Sequence, residues 1–257
     1  MAKQVTLINI NLGPLDADHD ENLMEYFVDF GSFDDLQTKS KFIVVGSKGT
    51  GKSAVRRYLS QHRRINNLPI VEIEDSYSLA ISDAPIGSIA QTKNYMLGVL
   101  IGLVIQGIFE CEHIHGNRKI RLRALENDIS IIKRLISTTK LKPPYAEIAL
   151  EELFSKGKKP DLIRLTSEQT ISTIARTLSD DDLWILIDDV DSIFTSQNEN
   201  DSLTLLASLI FASSDINMRL LKSNVFIVLL LRAEIYEKLI KFGCCYIYNR
   251  CVYFTCL

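Results

Sequence analysis

The residues best equipped for chemistry stand in one run, Gly46-Ser47-Lys48-Gly49-Thr50-Gly51-Lys52-Ser53, which meets G-x-x-x-x-G-K-S/T at every fixed position. Its glycines allow the backbone to curl until successive N–H groups point inward, a concavity suited to phosphate oxygens. A helix beginning near Ser53 adds its partial positive charge. Lys52 would reach the β- and γ-phosphates of a nucleotide, and the Ser53 hydroxyl would ligate Mg²⁺. Much further along, Leu183-Trp184-Ile185-Leu186-Ile187-Asp188-Asp189 carries apolar residues through a core and ends on two acids. Acids so placed lie at the strand edge where ligands bind in open parallel sheets. Asp188 is the expected Mg²⁺-side ligand, and Asp189 the group that orients and polarises an attacking water. Asp191 is a weaker candidate for that task and reads equally well as a helix cap.

These groups need strands and helices to hold them. Lys41–Val45 is a short β-branched run closed by glycine, the pattern of a buried parallel strand, and Leu68–Ile73, Leu183–Ile187 and Val225–Leu231 are further continuous apolar runs. Helical spacing occupies Glu21–Leu36, Ser53–Arg64, Arg118–Thr138, Tyr145–Ser155, Ser167–Leu178 and Asp201–Leu221. Strands alternating with helices predict a parallel sheet covered on both faces. The expectation is therefore a single α/β domain over residues 1–257, a three-layer parallel-sheet fold. Its core occupies about 37–85 and 166–240, a helical insertion about 86–165, and a tail 241–257.

Gly46–Ser53 and Ile185–Asp189 resemble the Walker A and Walker B motifs of P-loop NTPases. The acid pair in Ile187-Asp188-Asp189-Val190-Asp191 resembles the ASCE division, more narrowly the STAND, KAP and Orc/Cdc6-like regulatory ATPases. The chain is also similar to bacterial P-loop ATPases, some associated with phage defence, in Phe42–Gly46 and Val190–Phe194. In those groups the strand after Walker B ends in a polar residue near the γ-phosphate, so the resemblance assigns Arg232 as a sensor; it otherwise reads as an ordinary arginine at a strand-to-helix loop. The resemblance implies ATP and Mg²⁺ as cofactors and hydrolysis coupled to a conformational or assembly switch, with a protein partner or a second copy engaged. Aspartate stands at 189 where a catalytic glutamate is usual. That leaves three rivals: a nucleotide-gated scaffold with little turnover, a phosphotransferase, and a DNA-dependent motor or loader. The absence of an Asn/Thr-Lys-x-Asp guanine-reading motif favours ATP over GTP.

Composition narrows the remaining classes. With 29 basic and 32 acidic side chains, the chain lacks the charge of a protein built around a large nucleic-acid surface, and its 46% apolar content excludes a disordered chain. Arg118-Lys119-x-Arg121-x-Arg123, with Arg56, Arg57, Arg63 and Arg64, is basic enough to touch phosphates but lacks interleaved aromatics, which favours solvated helix faces. The uncharged stretch Tyr95–Phe109, containing Gly98-x-x-x-Gly102, falls short of the roughly 20 residues that span a membrane and predicts a buried helix of the insertion. No signal peptide follows Met1, so a cytoplasmic location is expected. Neither Cys111-x-His113-x-His115 nor the cluster Cys244, Cys245, Cys251 and Cys256 has the paired spacing of a zinc site, and Asp16-x-Asp18-x-Asp20 departs from a calcium loop at Glu21 and Phe27. The cysteine-rich end is either the last strand of the sheet or the stub of a longer protein.

Overall fold

The structure is a computed structural model that describes residues 33–73, 84, 87–111, 114, 116–128, 130, 162–178, 181–194, 198–220, 224–244 and 249–254. The predicted helices Glu21–Leu36 and Arg118–Thr138 lie partly outside these residues and Tyr145–Ser155 wholly so, as do His113, His115, Cys245, Cys256 and Asp16–Phe27.

Five strands form one all-parallel sheet: β1 (Ile43–Gly46), β2 (Ile70–Ile73), β3 (Leu183–Ile187), β4 (Val225–Arg232) and β5 (Cys251–Phe254), in the order β2-β3-β4-β1-β5. The four apolar runs of the sequence supply β1 to β4. β1 and β3 are buried along their whole length and β4 as far as Leu231, as strands covered on both faces must be. β2 is half-buried throughout because it stands at an edge. The cysteine-rich segment supplies β5, which pairs alongside β1 from Ile43↔Cys251 to Gly46↔Phe254. Cys244 and Cys251 are buried, and burial pushes the Cys251 thiol up to about 12, leaving it inert.

The helices are α1 (Phe33–Gln37), α2 (Lys52–Ile65), α3 (Ile89–Glu110), α4 (Gly116–Lys119), α5 (Leu162–Leu165), α6 (Glu168–Thr177), α7 (Glu199–Leu220) and α8 (Ala233–Lys241). Only the β1-to-β2 connection runs toward the β2 edge. Right-handed crossovers therefore put α2 on one face and α3, α7 and α8 on the other. The packing agrees: α2 lies on β1 and β2, while α7 packs on β4, α3 and α8. The fold is α/β with a parallel sheet, and this covering fits three layers.

Tyr95–Phe109 falls inside α3, and α3 packs directly on β3 and α7, so this part of the stretch read as an insertion covers the sheet itself. α3 and α7 are long and apolar enough to cross a membrane by composition, yet 72% of the apolar window of each is buried inside the protein. Lys93 pairs with Asp215 at 2.6 Å across their interface. α3 also approaches β2 closely at Gly107, where a Cβ would meet Val71 Cγ2 at 2.7 Å. From α7, the buried Asn217 closes a gap in the sheet. Its Nδ2 donates to Ile227 O at 2.9 Å and its Oδ1 accepts from Ile227 N at 2.8 Å. Because β1 begins opposite Leu229, the Ile227 peptide groups lie beyond the β1 pairing, and the amide side chain takes the place of a strand.

Candidate functional site

β1 ends on Gly46, the chain turns through Ser47–Gly51, and α2 starts at Lys52. Gly49 has φ +84° and Gly51 φ +88°, in the left-handed region. A Cβ on Gly49 would meet nothing within 4 Å, and one on Gly51 only Ala54 Cβ at 3.9 Å, so backbone conformation and not space requires glycine at both. Thr50 N and Oγ1 donate to Ser47 O at 3.3 and 2.9 Å, which sets the curl of the loop. Ser47, Lys48, Gly49 and Gly51 are exposed, and α2 opens without a capping side chain. The Lys52 ammonium folds over the loop, donating to Gly46 O at 2.8 Å and Ser47 O at 3.0 Å. Desolvation pulls its proton affinity below that of an ordinary lysine, opposed chiefly by Asp191.

The sheet order puts the acids beside this loop. β4 stands between β1 and β3 and continues beyond its last pair with β3, Ile187↔Leu229, until Arg232 lies level with Gly46. Asp188 extends the β3 ladder by donating its N–H to Ile73 O at 2.8 Å, and its carboxylate is 13% exposed. One oxygen, Oδ1, accepts from Asp189 N at 2.8 Å, and the other, Oδ2, lies 3.1 Å from Arg56 Nε. Ser53, in the first turn of α2, lies close enough to favour the ionised form of this carboxylate. Burial raises the Asp188 carboxyl above the ordinary carboxylate range, against the pull of the Asp189 N–H, Arg56 and Ser53. Ser53 and Asp188 thus bring two hard oxygen donors near one another, a pairing that suits Mg²⁺, which takes few protein ligands. Among the described residues no group of three or more His, Cys, Asp or Glu side chains gathers for a metal.

Asp189 sits at φ +48°, which turns the chain into the short 3₁₀ segment Val190–Ile193 and leaves the carboxylate 45% exposed, 3.7 Å from Arg232. Asp191 is the more enclosed acid. It is 5% exposed on its side chain and 2.6 Å from Arg232 Nε. Burial raises its carboxyl, with Arg232 the largest opposing influence and Lys52 a further one. Arg232, half-exposed at the end of β4, therefore ties both acids of the loop after β3 to the level of Gly46.

The site thus brings together Gly46–Ser53, Asp188, Asp189, Asp191 and Arg232. Arg56 and Arg63, expected on a solvated helix face, belong instead to a polar stripe of α2 turned inward, because acids lie beneath it. Arg56, Ser60 and Arg63 are buried among Val55 and Leu59, facing the sheet. Arg56 meets Glu72 at 3.2 Å, Ser60 and Arg64 donate to the same Glu72, and Arg63 pairs with Asp182 at 3.1 Å and stacks 4.7 Å over Trp184. Starting from Ser53, the recurrence Ser53, Arg56, Ser60, Arg63 at steps of three and four is the signal that one helix face is polar and aimed at buried acids. Arg118, from the second basic run, pairs with Asp181 at 2.8 Å, while Lys119 caps α3 by donating to Cys111 O at 2.7 Å; Arg121 and Arg123 are exposed. Comparison with protein-family models, curated proteins and solved structures finds no match to this chain.

Proposed function

We propose that the protein binds ATP with Mg²⁺ and hydrolyses it as a P-loop ATPase of the ASCE type, coupling hydrolysis to a conformational or assembly switch. The observation that carries this reading is the convergence of Ser53 and Asp188, from distant parts of the sequence, beside a loop with left-handed glycines at 49 and 51 and with Arg232 level with Gly46.

In this reading the loop N–H groups and the start of α2 hold the phosphates. Lys52 exchanges its contacts with Gly46 O and Ser47 O for β- and γ-phosphate oxygens. Ser53 and Asp188 hold Mg²⁺, which when bound neutralises charge on the β- and γ-phosphate oxygens. Asp189 is exposed enough to accept a hydrogen bond from a water aimed at the γ-phosphorus, so that ATP and water give ADP and inorganic phosphate. Arg232 senses the γ-phosphate by trading its pairing with Asp191 for phosphate oxygens. That trade alters contacts at the C-terminal end of β4, where α8 begins, and provides a route to a conformational readout.

Phosphate release measured for the wild type and Lys52→Ala tests the proposal. Loss of at least tenfold in the variant is expected; equal rates overturn hydrolysis at this site. A nucleotide-gated scaffold is favoured by one feature, the shorter carboxylate of Asp189 held within 3.7 Å of Arg232. Tight ATP binding without phosphate release, unaltered by Asp189→Asn, is the outcome that reading requires.

A further inference from the structure

Arg56 is 3% exposed, and a buried guanidinium needs an anionic partner to replace its lost hydration. It sits one helical turn after Ser53 on α2, so it shares the face that looks toward the end of β3. Its Nη1 lies 3.2 Å from Glu72 Oε2 and its Nε 3.1 Å from Asp188 Oδ2. Glu72, on the β2 edge strand beside β3, receives Ser60 and Arg64 as well. Its carboxylate is therefore spent on anchoring α2 to the sheet, and the planar fork of Arg56 has little freedom to turn. The Asp188 carboxylate thus has the Asp189 N–H bonded to Oδ1 at 2.8 Å on one side and the Arg56 cation 3.1 Å from Oδ2 on the other, an ion pair by distance and not an aligned hydrogen bond. Arg56 occupies the oxygen that a free carboxylate would rotate away.

We infer that Arg56, fixed by Glu72, is a positioning residue for Asp188: it sets the spacing between the Asp188 carboxylate and the Ser53 hydroxyl, and so governs the affinity of the site for the divalent cation without touching the nucleotide. The inference rests on the ATPase reading above. A lysine cannot reproduce it fully, because a single ammonium cannot bridge Glu72 and Asp188 with fixed planarity. Groups that orient a metal ligand typically account for 10–100-fold in metal affinity.

The test is a titration of Mn²⁺, followed by electron paramagnetic resonance, into full-length protein with saturating ADP, alongside nucleotide binding in EDTA. Wild type, Arg56→Met, Arg56→Lys and Glu72→Gln are compared. Expected are at least a tenfold weaker Mn²⁺ affinity in Arg56→Met, partial recovery in Arg56→Lys, about a threefold loss in Glu72→Gln, and metal-free nucleotide binding within twofold of wild type throughout. Should Arg56→Met fail to fold, Glu72→Gln retains both charges of the Arg56–Asp188 pair and carries the test. Uptake of Mn²⁺ by the wild type with unchanged affinity in the folded variants overturns the inference alone. No nucleotide-dependent uptake by the wild type overturns the ATPase reading and this inference with it.

Discussion

Replacing Asp188 by asparagine separates what the carboxylate does for binding from what it does for folding. The side chain is 13% exposed, and burial raises its carboxyl above the ordinary range. An acid with that shift is held ionised at neutral pH at a cost to folding. A neutral amide of the same shape removes the cost and also loses the attraction of Arg56, which keeps Glu72 as an ion-pair partner at 3.2 Å. The two changes largely offset, and the raised carboxyl says which is larger. Stability at pH 7 should therefore stay level or rise by about 1 kcal/mol, roughly 2–4 °C for a chain of this size. Binding behaves oppositely. A ligand at 100 times its Kd stabilises the folded state by about 2.7 kcal/mol, roughly 5–10 °C. Thermal unfolding can be followed through Trp184, the single tryptophan, which packs edge-to-face on Phe226 at 5.1 Å. The wild type should gain that shift with Mg²⁺-ATP, and Asp188→Asn should lose most of it from an unlowered baseline. A baseline fall of more than about 10 °C would make the carboxylate a structural keystone, and an intact ligand shift would remove it from the site; either result refutes the reasoning.

The same acid predicts a pH dependence. Because its folded-state carboxyl lies above the unfolded value of 3.8, the folded wild type takes up the proton first on acidification, and the cost of the buried charge is relieved. The stability advantage of Asp188→Asn should narrow between pH 7 and pH values near 4 in urea unfolding, and a widening gap contradicts the sign. Cation-dependent nucleotide affinity of the wild type should fall over the same acidification, since the metal needs the ionised form. Away from the site, Asn217→Ala would strand the buried N–H and C=O of Ile227. At about 1–3 kcal/mol for each of the two stranded groups, the loss should reach about 2–6 kcal/mol in urea unfolding; under about 1 kcal/mol, the amide is not standing in for a strand.

Local patterns in the chain carry much of the architecture. A run such as Leu183–Ile187 can be buried on both faces only as an interior strand, and the glycines at 49 and 51 announce a backbone that other residues resist. The loop and the acid pair were legible because each is a contiguous string whose chemistry depends on its own spacing. Arg56 was harder to read: an arginine on a helix ordinarily faces water, and only the acids brought beneath it make burial tolerable. Asp191 read equally as a cap until the end of β4 supplied Arg232 at 2.6 Å.

By itself, then, the sequence determined the strand runs, the curled loop and the two acids that follow β3, because burial, backbone strain and residue spacing act over a few neighbours. Tertiary structure alone decided that β4 runs between β1 and β3, that α3 covers the sheet, that β5 lies against β1, and that Ser53, Asp188 and Arg56 share one corner. Strand order and charge pairing follow from which surfaces exclude water together, a property of contacts between segments far apart in the chain.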